Sequence, residues 1–205
     1  MGGTAGKLRA VAILMAALTA GGCICRNSLK IETQGSFADT PTGPTAVLRI
    51  TADPHPPSRS AHVPWGSICT AEPEQDFAAR LAHLARCDGG LPVLSADETA
   101  QRLDALGFSD THDPPADALR RSAAQLGLAS YLTAHIRRSR LRYVLFWSWA
   151  EVDCEVACYL PECERRVWQA SIRCRKRFAT AGDVTTYALR SAFHALRKDG
   201  AERGT

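Results

Sequence analysis

The chain of 205 residues has no apolar run of the roughly 20 residues that a membrane-spanning helix needs. It also lacks GxSxG, HExxH, GxGxxG, P-loop and CxxCH motifs, which removes the sequence grounds for the hydrolase, zinc-protease, dinucleotide, triphosphate and haem-attachment chemistries those patterns serve. There is no internal repeat, and no tight CxxC pair despite eight cysteines. Nor is there an excess of one charge: 25 Lys and Arg stand against 21 Asp and Glu, too balanced to argue for nucleic acid.

What is present begins with an export signal. Lys7 and Arg9 form a positive start, Ala10 to Leu18 an uncharged apolar segment, and the small residues Ala20, Gly21 and Gly22 precede Cys23. A cysteine at that position turns simple cleavage into lipoprotein processing, with lipidation expected at Cys23. Several acyl chains anchor stably where one is marginal. Ala20 stands where such signals usually carry leucine, and ordinary secretion or an uncleaved anchor are the alternatives. Removal of residues 1–22 leaves 183 residues with 23 basic and 21 acidic side chains, enough for one domain.

Seven cysteines remain besides Cys23: Cys25, Cys69, Cys87, Cys154, Cys158, Cys163 and Cys174. Export permits disulfides, and an odd number leaves at least one thiol over in the monomer, Cys25 being the natural one. The cluster Cys154, Cys158, Cys163 and Cys174 suits disulfides or inert thiols before metal or redox chemistry, since zinc knuckles favour CxxC spacing. Cys158 and Cys163 flank an expected turn over Tyr159–Glu164 and form the candidate disulfide.

Residues 26–45 are polar with scattered Gly, Thr and Pro, and 23–45 is expected to be a flexible tether. The domain is expected over 46–198 and a disordered tail over 199–205. Ala46 to Ile50 is a first strand, and 52–73 a long loop with five prolines. Apolar residues at helical spacing place helices at 74–86 (Phe77, Leu81, Leu84), 95–106, 114–126 and 182–198 (Val184, Ala188, Leu189, Ala192, Phe193, Leu196). Ser95 with Glu98 is a capping-box pair, and Gly127 a stop. Short strands are expected at 91–94 and 130–137, and long ones at 142–156 and 165–178. In the long pair the even positions are apolar, including Val152, Cys154, Trp168, Ile172, Cys174 and Phe178. The odd positions are acidic in one (Glu151, Asp153, Glu155) and basic in the other (Arg173, Arg175, Arg177), which suits cross-strand pairing. The expected fold is α/β of the α+β kind: one mixed sheet with a long antiparallel hairpin, packed on one face by the helices at 95–106 and 182–198.

The run Leu91–Leu94, Asp97–Thr99, Gly107–Phe108 and Pro114–Arg120, then Gly127–Leu132 at a strand entry and Val167–Trp168 opening the last strand, resembles small bacterial lipoproteins related to the curli-secretion protein CsgG and the penicillin-binding-protein activator LpoB. The likeness covers roughly residues 46–198. Pro161 to Glu164 replace the usual hairpin glycine, and Ser130 replaces an aspartate. The cysteines have no counterpart in that pattern. The resemblance implies a non-enzymatic envelope protein, anchored to the outer membrane and facing the periplasm, that binds another envelope protein in secretion or cell-wall assembly. A subunit of a homo-oligomeric complex and a small thiol- or histidine-dependent enzyme are the alternatives. No cofactor and no nucleic acid are expected; the membrane is reached through the lipid anchor.

Three other clusters admit two readings each. His55, His62, Trp65 and Cys69 are either a solvated loop or a metal or nucleophile set. Arg137, Arg138, Arg140 and Arg142 are either a partly paired turn or a contact for anionic headgroups. Trp147 and Trp149 are either covered by a helix or a partner-binding patch.

Overall fold

The computed structural model describes residues 27–53, 74–105, 116–144, 147–162 and 165–203. The strands are β1 (Ser28–Gly35), β2 (Thr45–Ala52), β3 (Ser130–Val144), β4 (Trp147–Tyr159) and β5 (Arg166–Arg177). The helices are α1 (Glu74–Cys87), α2 (Ala96–Ala105), α3 (Ala116–Gln125) and α4 (Ala181–Arg203). They build the expected α+β fold around a single mixed sheet of order β1-β5-β4-β3-β2, antiparallel except where β2 runs parallel to β3.

Period-2 apolar residues decide which face is buried. Val152, Cys154, Val156 and Cys158 of β4 and Trp168, Ala170, Ile172 and Cys174 of β5 join one core with Leu132, Ala134 and Ile136 of β3. Helices α1 and α4 close it with Phe77, Leu81 and Leu84 and with Val184, Ala188, Leu189, Ala192, Phe193 and Leu196, the stripes expected from the sequence. Trp168 is the largest fully buried side chain: its ring meets Phe37 and Phe193, and its Nε1–H donates to Thr40 Oγ1 at 2.9 Å. A smaller cluster lies on the opposite face at the β2 side, where Leu119 and Ala123 of α3 pack on Ala46 and Tyr131. The Ser95 cap forms as expected, accepting the Glu98 N–H at 3.1 Å, and Gly127 ends the α3 turn at φ +65°.

Several expectations need correction. Residues 28–35 of the expected tether form edge strand β1, paired along its length with β5. Leu29, Ile31 and Thr33 alternate with Lys30, Glu32 and Gln34, and an edge strand tolerates that charge. The expected strand at 91–94 reduces to one bridge, Val93 to Thr45, because Pro92 has no N–H to donate. The expected strand over 142–156 is divided between β3 and β4, which meet where Val144 pairs with Trp147. Helix α1, rather than α2, joins α4 on the helix-covered face; α2 touches β2 and α1 at the sheet's edge. Residues 199–203 of the expected tail continue α4, where Asp199 accepts a hydrogen bond from Thr33. Phe178, expected inward, turns outward because β5 ends at Arg177 and its own φ is +52°.

Candidate binding face

The face of the sheet opposite α1 and α4 is built from the odd positions of β4 and β5. Their register sets Glu151 opposite Arg175 and Asp153 opposite Arg173, the cross-strand pairing that their charges suit. Asp153 takes Arg173 at 2.8 Å and Arg137 of β3 at 3.8 Å. Glu151 lies between Arg175 at 3.2 Å and Arg138 at 3.4 Å, and Arg137 also reaches Glu155. A row of β4 carboxylates is thus clasped from both sides by arginines. A bulge between Ile136 and Arg138 lets two successive arginines of β3 join in. The four-arginine run is therefore strand rather than a turn between strands. The arginines reach solvent while Asp153 is buried, so a pair contributes about 1 kcal/mol at most where it is exposed, and the row matters more for the fixed geometry of its charges. At the β1 edge Lys30 binds Glu32 at 2.6 Å, and that contact lowers the Glu32 pKa.

Beyond the row, next to α3, the same face opens into a groove of about 360 Å³. Arg49, Thr51, Tyr131, His135, Glu155 and Tyr159 line it. The Tyr131 and Tyr159 rings stack at 5.5 Å and make an aromatic wall. His135 links two groups of the β2 end: Nδ1 lies 2.9 Å from the Thr51 hydroxyl and Nε2 lies 3.1 Å from Asp53. In the neutral tautomer with Nε2–H directed at Asp53, Nδ1 accepts the Thr51 proton. Hydroxyl, imidazole and carboxylate stand in the order of a nucleophile and its base, but all are open to water, and such sets draw their catalytic strength from water exclusion. As arranged they offer a polar edge beside an aromatic wall, which suits a polar or aromatic side chain of a partner.

The sequence-predicted residues distribute unevenly. Cys23, Cys25, Cys69, Cys163, His55, His62 and Trp65 lie outside the described residues. Cys154, Cys158 and Cys174 are buried in the core on the helix-covered face, away from the groove. Desolvation pushes the Cys158 pKa up to about 12, against a smaller opposing hydrogen bond from Ser130, and burial also raises Cys174. Among the described residues the exposed thiol is Cys87, 3.9 Å from His83 one turn earlier in α1. Trp149 is half-buried. Arg49, Thr51, Asp53 and His135 were not singled out by the sequence reading. They meet only through the parallel register that sets Thr51 beside His135, 84 residues away, which no local pattern announces.

A five-stranded mixed sheet with its long helices on one face defines a fold shared with solved structures of bacterial proteins, lipoproteins among them. One subunit of the PelC dodecamer from Paraburkholderia phytofirmans superposes with a TM-score of 0.53 at 13% identity, covering 82% of this chain and 97% of that one. Lipoprotein GNA1162 from Neisseria meningitidis does so at 0.50 and 14% identity, over 78% and 98%. The LpoB C-terminal domain from Escherichia coli aligns at 0.42 and 11% identity, over 65% and 83%. These likenesses are of fold. No family model matches the chain, and no curated protein sequence matches it.

Proposed function

We propose that the chain is an exported envelope lipoprotein, acylated at Cys23, whose domain has a non-catalytic binding or assembly role. The sheet face opposite α1 and α4 is its contact surface for another envelope protein. The observation that carries this reading is the unequal covering of the sheet: among the described residues α1 and α4 close one face, whereas the other, which α3 covers only at its β2 side, presents a fixed row of clasped charges ending in a groove. Thiol chemistry fits poorly, because Cys154, Cys158 and Cys174 are sealed on the far side. The export signal supplies the address, and the fold shared with a neisserial lipoprotein agrees with it. Kinship with the CsgG and LpoB group, an outer-membrane position and a disulfide from Cys158 to Cys163 belong to the same reading and rest on the sequence. Photocrosslinking in intact cells from position 133, at the groove, tests it. One captured envelope protein is expected, and Arg49→Glu with Tyr159→Ala should abolish the crosslink. Equal capture by wild type and variant overturns the assignment of the face.

A second reading is favoured by one observation: the solved protein with this fold from Paraburkholderia is a dodecamer, and β1 leaves a sheet edge available for a neighbour. A mass several times the monomer in mild detergent, lost when Ile31→Pro blocks that edge, would support homo-oligomerisation.

A further inference from the structure

Among the described residues the exposed large hydrophobics are Leu29, Phe178 and Tyr187, at 39%, 67% and 41% exposure. They come from three different elements and gather at one end of the sheet. Leu29 pairs with Cys174 in β5, Phe178 follows the last residue of β5, and Tyr187 lies beneath Lys176, whose Nζ is 3.7 Å from the ring centroid. Lys176 and Arg177 immediately precede Phe178, so cations stand beside the apolar side chains.

Phe178 is held rather than loose. Its N–H donates to the Ser148 carbonyl at 2.9 Å, and its φ of +52° is a left-handed conformation that costs a residue with a Cβ about 1 kcal/mol. The ring so held is 67% exposed, with most of its surface in contact with water. The chain itself indicates what it meets. Asn27 sits at this same end, its Oδ1 accepting the Arg177 N–H at 2.9 Å. Cys23 is four residues before Asn27. A fully extended link of that length spans about 14 Å. Acyl chains on Cys23 would therefore hold this end of the sheet against the leaflet they enter.

The geometry points to a membrane-contacting end of the domain, in which Phe178, Tyr187 and Leu29 enter the headgroup boundary of the anchoring leaflet while Lys176 and Arg177 meet anionic phospholipid headgroups. This rests on the lipid anchor argued above. Aromatic and aliphatic side chains flanked by Lys and Arg have the composition that interfacial segments use, and each added cation near an anionic leaflet favours binding further. The strands then stand away from the membrane. From Trp149 to Tyr159, β4 rises roughly 30 Å, so the Tyr131–Tyr159 groove faces the aqueous space rather than the lipid.

The test uses the mature chain with Cys23→Ser, and vesicles of phosphatidylethanolamine and phosphatidylglycerol at 3:1. Without acyl chains the protein should still float with the vesicles at low salt, and less so as salt rises. Phe178→Gly should lower the partition about tenfold, the share of a ring that leaves water. The same change should raise thermal stability, because glycine accepts the positive φ, so loss of binding cannot come from loss of folding. Tyr159→Ala, in the groove, should leave the partition unchanged. Equal partition of wild type and Phe178→Gly overturns the proposal. So does a Phe178→Gly variant that floats normally but loses self-association, since the patch is then a contact between copies. Fatty-acid labelling of Cys23 in cells reports on the anchor alone, and the vesicle measurement, made without acyl chains, reports on the patch alone.

Discussion

Replacing Phe193 by alanine empties the centre of the contact between α4 and the sheet. Phe193 is 2% exposed, and its ring meets Trp168 edge-on at a centroid distance of 6.3 Å. Backbone crowds it on the α1 side, where a methyl placed on Gly89 would come within 3.1 Å of Phe193 Cδ1. Little can move in to fill the gap. Truncating a buried phenylalanine costs about 3–5 kcal/mol when the cavity cannot collapse, and the lost aromatic pair accounts for about 1 kcal/mol of that. A loss of about 4 kcal/mol is expected for Phe193→Ala, and more for Phe193→Asp, which also buries an unpaired charge. Arg190 is the control: it lies on the outer side of α4, and its pair with Asp88 at 3.2 Å is exposed, so Arg190→Ala should change stability by less than about 1 kcal/mol. Urea unfolding followed by tryptophan fluorescence reads both. A Phe193→Ala midpoint equal to that of wild type would refute the packing of α4 on β4 and β5.

Three further outcomes are expected. In the reduced folded protein at pH 8, iodoacetamide should modify Cys87 and spare Cys154, Cys158 and Cys174, as peptide mass mapping would show; rapid labelling of Cys158, whose pKa is pushed to about 12, would contradict its burial. Gly35→Ala should destabilise by about 2 kcal/mol in the same urea assay, because Gly35 has φ +83° and a Cβ there would meet the Val167 carbonyl oxygen at 2.1 Å; an unchanged midpoint would show that β1 pairs otherwise. Hydrogen bonds from Thr180 hold the Asp183 pKa below its ordinary value at the start of α4. A depressed folded pKa means stability present above the unfolded pKa and lost as pH falls through the folded one, so Asp183→Asn should cost stability at neutral pH and nothing once both states are protonated. A stability difference that survives acidification would remove the carboxylate from the cap.

The helices were legible because each carries its stripe within one stretch of chain: Phe77, Leu81 and Leu84 in α1, and Val184 to Leu196 in α4. The β4–β5 pair was legible for the same reason at period 2. What escaped depends on partners distant in sequence. Ser28–Gly35 alternates like a strand, but its polar half resembles a tether until β5 is seen to bind it. The divide between Val144 and Trp147 falls inside an apolar stretch without Gly, Pro, Asn or Asp, so no turn chemistry marks it. Cys158 shows the limit on the candidate site. Its spacing to Cys163 suggests a bridge across a turn, but no spacing shows that its even position in β4 places it in the core, and Cys163 lies outside the described residues. The groove was out of reach altogether, since Arg49 and Thr51 meet His135 and Tyr159 only once β2 has found β3.

The charged row raises the question of what fixes the register of β4 on β5. A slip by one residue is excluded by the core, since it would turn Glu151 and Asp153 toward the helices. A slip by two is not excluded by charge. It would set Glu151 opposite Arg177, Asp153 opposite Arg175 and Glu155 opposite Arg173, all attractive pairs. The ladder of arginines and carboxylates alone therefore tolerates two registers. Trp168 separates them. In the observed register it lies opposite Cys158, where its ring fits between Phe37 and Phe193 and its N–H finds Thr40. A two-residue slip would carry this side chain about 7 Å along the sheet and leave its N–H without the hydroxyl. Thr40 and Phe37 follow directly from β1, so the segment next to the expected anchor also locks the hairpin that carries the row. The binding face inherits its geometry from a tryptophan on the other side of the sheet.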